Sequence, residues 1–211
     1  KRVAADLKGD ISARLPKAPA TKNGKRIACI GAGPASLTVA NDLVPLGYEV
    51  VIFEKNARPG GLMRTNVPSF RLPAAVLDEE IAMIVDMGVE VRYSTPVHSL
   101  KTLLGSGFDA VFVGSGAPRG KDLDLPGRKE AASRIHIGID WLESVAFDHI
   151  GTIGEHVLII GVGNTAMDCC RTARRLGGKD VKVMARRDRQ YFKASPWELE
   201  DAEEEQVDIL V

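Results

Sequence analysis

RIACIGAGPASLTVANDLVPLGYEVVIFE, residues 26–54, decides the fold. Arg26 to Ile30 is a short apolar run and reads as a buried strand. Gly31-Ala32-Gly33-Pro34 breaks it, and Ala35 to Leu46 reads as a helix. Gly47 stands where a helix ends. Tyr48 to Phe53 is a second strand, closed by Glu54. Strand, glycine turn, helix, strand and acid in that order make the first half of a dinucleotide-binding unit.

The pattern recurs. His156 to Ile160 is apolar, Gly161-Val162-Gly163-Asn164 breaks it, Thr165 to Leu176 reads as a helix, and Gly177-Gly178 ends it before a strand over Val181 to Ala185. Gly31 and Gly33 match Gly161 and Gly163 at a constant offset of 130 residues, and Leu46-Gly47 matches Leu176-Gly177 at the same offset. An internal repeat of this kind predicts an α/β fold with two Rossmann-like dinucleotide-binding domains.

Between the repeats, Asn56 to Pro73 reads as a long irregular loop, and loops of that length are often functional. A helix follows from Ala74, with Leu77, Ile81, Ile84, Val85 and Gly88 as its core stripe. Strands are expected over Val89–Tyr93 and Asp109–Val113, the Gly114-Ser115-Gly116 break follows, and a short helix over Ile139–Phe147. The acidic stretch Glu198–Glu205 reads as the solvated face of a helix, and Val207–Val211 as a strand. Residues 1–25 read as an arm or linker, with Val3, Ala4 and Leu7 on one face of a short helical remnant. The expected division is then 26–150 for the first nucleotide domain and 151–211 for the second. Both domains are read as incomplete at their C-terminal ends, and the chain, beginning at Lys1, as cut from something longer.

Composition bounds the function. The 211 residues carry 28 basic and 28 acidic side chains, so no cationic excess marks a nucleic-acid partner. No apolar run approaches the ~18 residues of a membrane span. Cys29, Cys169 and Cys170 fit a reducing, cytoplasmic setting and lack Cys-x-x-Cys spacing, so no redox dithiol is expected. All three read as packing residues. The four histidines show no metal-ligand spacing.

A glycine turn lets backbone approach a pyrophosphate and aims helix N–H groups at it. In the first motif Gly31 makes the turn, Gly33 allows the approach, Pro34 suits a first helical position, and Ser36 is small enough for helix to pack on strand. Glu54, 23 residues after Gly31, is placed to accept ribose hydroxyls and to repel a 2′-phosphate, so FAD or NAD is expected there. At the equivalent place in the second repeat stand Arg186 and Arg187, which suit a 2′-phosphate and predict NADP(H). Alternatively, the turns are structural and Arg186, Arg187 and Arg189 a solvated basic corner.

Gly31-Ala32-Gly33-Pro34-Ala35-Ser36, then Glu54, then Pro59-Gly60-Gly61-Leu62-Met63-Arg64, then Val67 to Pro73, resemble the FAD-binding part of the glutamate synthase small (beta) subunit family. The N-terminal flavin half of dihydropyrimidine dehydrogenase is similar. Gly161 to Asp168, Arg186-Arg187 and Glu200–Glu205 resemble that family's NADPH module. The resemblance runs from about Lys17 to the end. It implies an NADPH-dependent flavin oxidoreductase in which electrons pass through FAD to an iron–sulfur cluster or partner subunit, such as a glutamate synthase large subunit. The cluster would belong to the full-length parent, because no cysteine cluster is present here. By the same resemblance Gly60, Gly61, Leu62, Met63 and Arg64 approach the FAD, and Gly114 and Gly116 form a second flavin-contacting turn. Ala35 and Lys55 complete the expected first site. Gly161, Gly163, Asn164, Thr165, Ala166, Arg186 and Arg187 make the second. No catalytic acid or base is identified; hydride transfer needs positioning alone. Two other readings suit the residues: a single-site NAD-dependent dehydrogenase with a vestigial second repeat, and a non-catalytic nucleotide-binding module.

Overall fold

The computed structural model describes residues 7–9 and 11–211. Val3 and Ala4, assigned above to a helical remnant, lie outside the described residues. The chain divides into two compact units, one of residues 1–61 and 74–116, the other of 62–73 and 117–211.

In the first unit, strands β1 (Arg26–Ile30), β2 (Glu49–Phe53), β3 (Glu90–Arg92) and β4 (Ala110–Val113) form one parallel sheet in the order β3-β2-β1-β4. That is the order of the first four strands of a doubly wound sheet. Ile27, Ala28 and Cys29 on β1 and Val50 to Phe53 on β2 are buried, as expected of strands covered on both faces. Helix α1 (Pro34–Leu43) continues as a 3-10 turn to Leu46, and Gly47 ends it at φ +87°. Ala28, Ala32, Ser36 and Ala40 are wholly buried, and their small side chains let α1 lie close to the sheet. The edge of Phe108 meets Phe53 at 5.8 Å, with Leu103 in the same cluster.

The long loop is not irregular throughout: Leu62–Thr65 forms a single helical turn, α2. Helix α3 (Ala74–Val85) buries Leu77 and Ile81. Gly88 is not part of that stripe; it lies beyond the helix at φ +103°, a conformation that turns the chain toward β3. A short helix α4 (Leu100–Leu104), capped by the Ser99 hydroxyl accepting the Thr102 N–H, was not expected. Residues 11–25 are largely exposed, although Asn23 N–H donates to the Gly47 carbonyl and Lys22 pairs with Glu49.

In the second unit, helix α5 (Gly138–Ala146) precedes β5 (His156–Ile160), α6 (Asn164–Arg175), β6 (Asp180–Met184), α7 (Pro196–Glu204) and β7 (Asp208–Leu210). The strands form a parallel sheet in the order β5-β6-β7. Its core joins Trp141 and Leu142 to Met167, Cys170, Ala173, Val181, Val183, Ala202 and Val207. The units therefore do not divide at residue 150: residues 117–150 group with the second, because α5 supplies part of its core. Residues 62–73 group there too. Asn66 Nδ2 donates to the Ile139 carbonyl at 3.0 Å, and Arg71 reaches Asp168 at 2.7 Å and Glu198 at 2.8 Å.

The acidic stretch corrects an expectation. Glu198 is buried, paired with Arg71 and Arg171, and Glu205 is gripped by Arg171 and Arg175. It is half of a charge network between α6 and α7 and not simply a solvated face. Phe70 lies beneath the guanidinium of Arg175 at 3.8 Å and near that of Arg171 at 4.8 Å. Among the described residues, no helix is long and apolar enough to cross a membrane.

Candidate functional site

The two glycine turns are built alike. Gly31 N–H donates to the Phe53 carbonyl at 2.8 Å, and Gly161 N–H to the Met184 carbonyl at 3.0 Å, so each turn is pinned to the neighbouring strand. Gly31 at φ +87° and Gly161 at φ +118° take conformations that side chains resist. Gly33 and Gly163 are extended N-caps, and no acid stands in either first helical turn. With no capping side chain, the first N–H groups of α1 and α6 remain available to an anion.

In the first unit the turn is surrounded by glycine. A Cβ on Gly31 would meet the Gly114 carbonyl oxygen at 2.8 Å, and one on Gly61 would meet Gly33 Cα at 2.8 Å. Gly60 N–H donates to the Ala32 carbonyl at 2.8 Å. Gly60, Gly61 and Gly114 thus lie beside Gly31 and Gly33. Pro34 and Ala35 are exposed at the helix start, while Ser36 is buried against Gly114, its hydroxyl without a hydrogen-bond partner. Gly116 has no neighbour near the position of a Cβ, and Lys55 is exposed. Leu62 and Arg64 lie on α2, which groups with the second unit.

Glu54 has a role that sequence did not foresee. Only 5% exposed, it accepts the Ala32 N–H at 2.7 Å through one carboxylate oxygen and the Asn56 N–H at 2.8 Å through the other. It holds the glycine turn from behind, and its remaining lone pairs can still accept from a hydroxyl.

In the second unit a cleft of about 360 Å3 opens at the glycine turn. It is lined by Gly161, Val162 and Gly163 at one side and by Arg186, Arg187, Tyr191 and Lys193 at the other. A Cβ on Gly161 or Gly163 would meet nothing within 4 Å, so the space beside the turn is open. Asn164, Thr165 and Ala166 begin α6. The Asn164 side-chain oxygen accepts the Ser195 N–H at 2.8 Å, while Lys193 and Ala194 N–H both donate to the Val162 carbonyl, at 3.1 and 3.0 Å. These three bonds strap residues 193–195 over the turn. The strap, and with it Lys193, escaped sequence reading; its one signal was a lysine soon after an arginine-rich corner.

The charges of this cleft are unbalanced. Between His156 and Val211, Arg171, Arg175, Lys179, Lys182 and Arg189 pair with carboxylates, and Arg174 donates to backbone carbonyls. Among the described residues Arg186, Arg187 and Lys193 have no acidic partner, and all three line the cleft. The residues present therefore fit a polyphosphate at both turns: uncapped helix ends with no acid in the first helical turn, and, in the second unit, open space and three cations with no carboxylate partner among the described residues.

The three cysteines are free and buried. Burial pushes Cys29 up to about 11 and Cys169 and Cys170 each up to about 12, so all three stay protonated near neutral pH. Among the described residues no group of three His, Cys, Asp or Glu side chains could hold a metal ion.

Residues 25–211 match the family described as pyridine nucleotide-disulphide oxidoreductase. The chain is 40% identical over 196 residues to the NAD-dependent dihydropyrimidine dehydrogenase subunit PreT of Escherichia coli K12, covering 91% of this chain and 46% of that protein. It is 33% identical over 208 residues to the glutamate synthase (NADPH) small chain of Azospirillum brasilense, covering 92% and 43%. The chain spans between 27 and 46% of the length of such relatives. The solved structure of Mycobacterium tuberculosis FprA in complex with NADPH shares the fold at a TM-score of 0.70 and 19% identity, over 85% of this chain and 47% of that one.

Proposed function

We propose that this chain, which belongs to the pyridine nucleotide-disulphide oxidoreductase family, is the FAD- and NADP(H)-binding part of an oxidoreductase that passes electrons to a partner domain or subunit. On this reading each glycine turn belongs to a Rossmann-like domain. Gly31, Gly33, Ala35, Ser36, Gly60, Gly61 and Gly114 would hold the FAD pyrophosphate, with Glu54 toward the ribose. Leu62, Arg64, Lys55 and Gly116 complete that site by resemblance. Gly161, Gly163, Asn164, Thr165 and Ala166 would hold the nicotinamide nucleotide's pyrophosphate. Arg186 and Arg187 would read its 2′-phosphate. A nicotinamide nucleotide and a flavin, when bound, supply hydride chemistry that asks no acid or base of the protein. The chain's own part is to bind, orient and exclude water. The glutamate synthase (NADPH) small chain and the PreT subunit are named as parts of larger assemblies, which supports a partner subunit.

One observation carries the NADP(H) preference: Arg186, Arg187 and Lys193, which pair with no carboxylate among the described residues, line the cleft at Gly161–Gly163. Arg186 and Arg187 are exposed at the cleft, and a guanidinium there can bond a dianionic ligand through two N–H groups at once. PreT is named as NAD-dependent, so family membership alone does not decide between the nucleotides.

The test is titration with NADP+ and NAD+, alone and after Arg186→Glu and Arg187→Glu. Charge-assisted bonds of about 1.5–3 kcal/mol each predict a loss of roughly 100-fold or more for NADP+ in the double variant. NAD+ should change by less than about threefold, because it lacks the group those arginines read. Equal losses for both would overturn the specificity. Retention of oxidised flavin bands after incubation with FAD and gel filtration tests the first site.

A further inference from the structure

We propose that Tyr191 is the platform on which the adenine of the nucleotide stacks, an inference that rests on the reading of the Gly161–Gly163 cleft as a nucleotide site. The adenine and the 2′-phosphate of such a nucleotide hang from the same ribose. Residues that read the phosphate therefore have the base beside them. Arg187, one of those residues, places its guanidinium 5.7 Å from the centre of the Tyr191 ring, and both line the cleft. Tyr191 is 55% exposed, so much of its surface is available to a ligand. Its partner along the chain, Phe192, is half-buried.

The ring is also held in place by its backbone. Tyr191 closes the 3-10 turn Arg189–Tyr191, its N–H donating to the Asp188 carbonyl at 2.9 Å. Directly after it, Lys193 and Ala194 are bonded to the Val162 carbonyl. The turn thus begins at the cationic corner and ends on the strap over the glycine turn, with the aromatic between them. Arg189, in the same turn, is held by Glu203 and is not free to compete for the base. An aromatic face stacks any purine, and an arginine beside it adds cation–π attraction.

The competing account is that the ring merely braces Arg187. The two separate on probes that differ in one phosphate. For an adenine platform, Tyr191→Ala weakens 5′-ADP and 2′,5′-ADP by the same factor, about 5- to 100-fold, and Tyr191→Phe leaves both within about twofold. The adenine H2 and H8 resonances shift upfield on binding to the wild-type chain and to Tyr191→Phe, and lose that ring-current shift with Tyr191→Ala. Weakening of 2′,5′-ADP alone, with the adenine resonances unmoved, would overturn the proposal in favour of a brace. So would an unchanged affinity of Tyr191→Ala for both probes. A wild-type chain that binds neither probe at millimolar concentration would overturn the nucleotide reading and this proposal together. Tyr191 is exposed, so its replacement leaves the core intact, and a matching circular dichroism melt verifies this.

Discussion

The carboxylate of Glu54, at the end of β2, accepts the backbone N–H of Ala32, at the centre of the first glycine turn, at 2.7 Å. Its second oxygen takes the Asn56 N–H, and the Ala32 carbonyl takes the Gly60 N–H. One acid thus ties together the strand end, the turn and the loop that folds back on it. Glu54→Gln keeps the shape and one acceptor but turns an amide N–H toward a backbone N–H. A buried donor left without an acceptor costs about 1–3 kcal/mol. The variant should lose that much stability in urea unfolding without any nucleotide present. An unchanged midpoint would show that Glu54 serves a ligand alone.

The glycines of the two turns separate folding from binding. Gly31→Ala places a methyl group 2.8 Å from the Gly114 carbonyl oxygen on a backbone at φ +87°, so the chain should fold poorly. Gly163 has an ordinary φ of −104° and open space before it. Gly163→Ala should therefore melt with the wild type, while its methyl stands where a phosphate must approach the helix end. The expected result is at least a tenfold (~1.4 kcal/mol) loss of NADP+ affinity with no change in melting. Wild-type affinity in Gly163→Ala would remove the phosphate from that place.

The cysteines should be silent in the folded chain. Cys29, Cys169 and Cys170 are buried, and burial holds their thiols protonated well above neutral pH. The thiolate is the reactive form, so iodoacetamide at mildly alkaline pH should label none of them until denaturant is added. Intact mass before and after unfolding checks this. Labelling of Cys169 or Cys170 in the native chain would show that α6 opens.

What was legible in the sequence is what local pattern encodes. The repeat at Gly31 and Gly161 could be read because an apolar run, a break and a helical period all lie within about 30 residues. The strands fall within a residue or two of expectation. The grouping of residues 62–73 with the second unit rests on bonds such as Asn66 to Ile139 and Arg71 to Asp168, between residues 73 and 97 positions apart. No periodicity records such pairs. Glu198 was misread for the same reason: a run of acids looks solvated until Arg171, 27 residues earlier, is seen to cover it. Glu54 looked like a ligand acid because its place in the chain suits one, whereas its burial depends on how the turn folds over it.

Arg71 carries the prediction that depends on pH. It bonds both oxygens of Asp168, at 2.7 and 2.9 Å, and pairs with Glu198, and both acids are buried. Burial raises the Asp168 carboxyl above its ordinary value, Glu198 adds to the rise, and Arg71 works against it. A carboxyl whose folded pKa is raised binds its proton more tightly in the folded state, so stability falls as pH rises through that pKa. Arg71→Met removes the nearest opposing charge, raises Asp168 further and leaves Arg171 alone to offset the two buried acids. The cost at neutral pH should be on the order of 3 kcal/mol, the range for removing one partner of a buried pair. It should shrink at mildly acidic pH, where a proton replaces the lost arginine. Asp168→Asn added to Arg71→Met should recover part of the loss at neutral pH, since the uncompensated charge is then gone. Urea melts of the wild type and both variants at the two pH values decide it. A deficit that is the same at both would mean that Arg71 contributes by packing and not by charge.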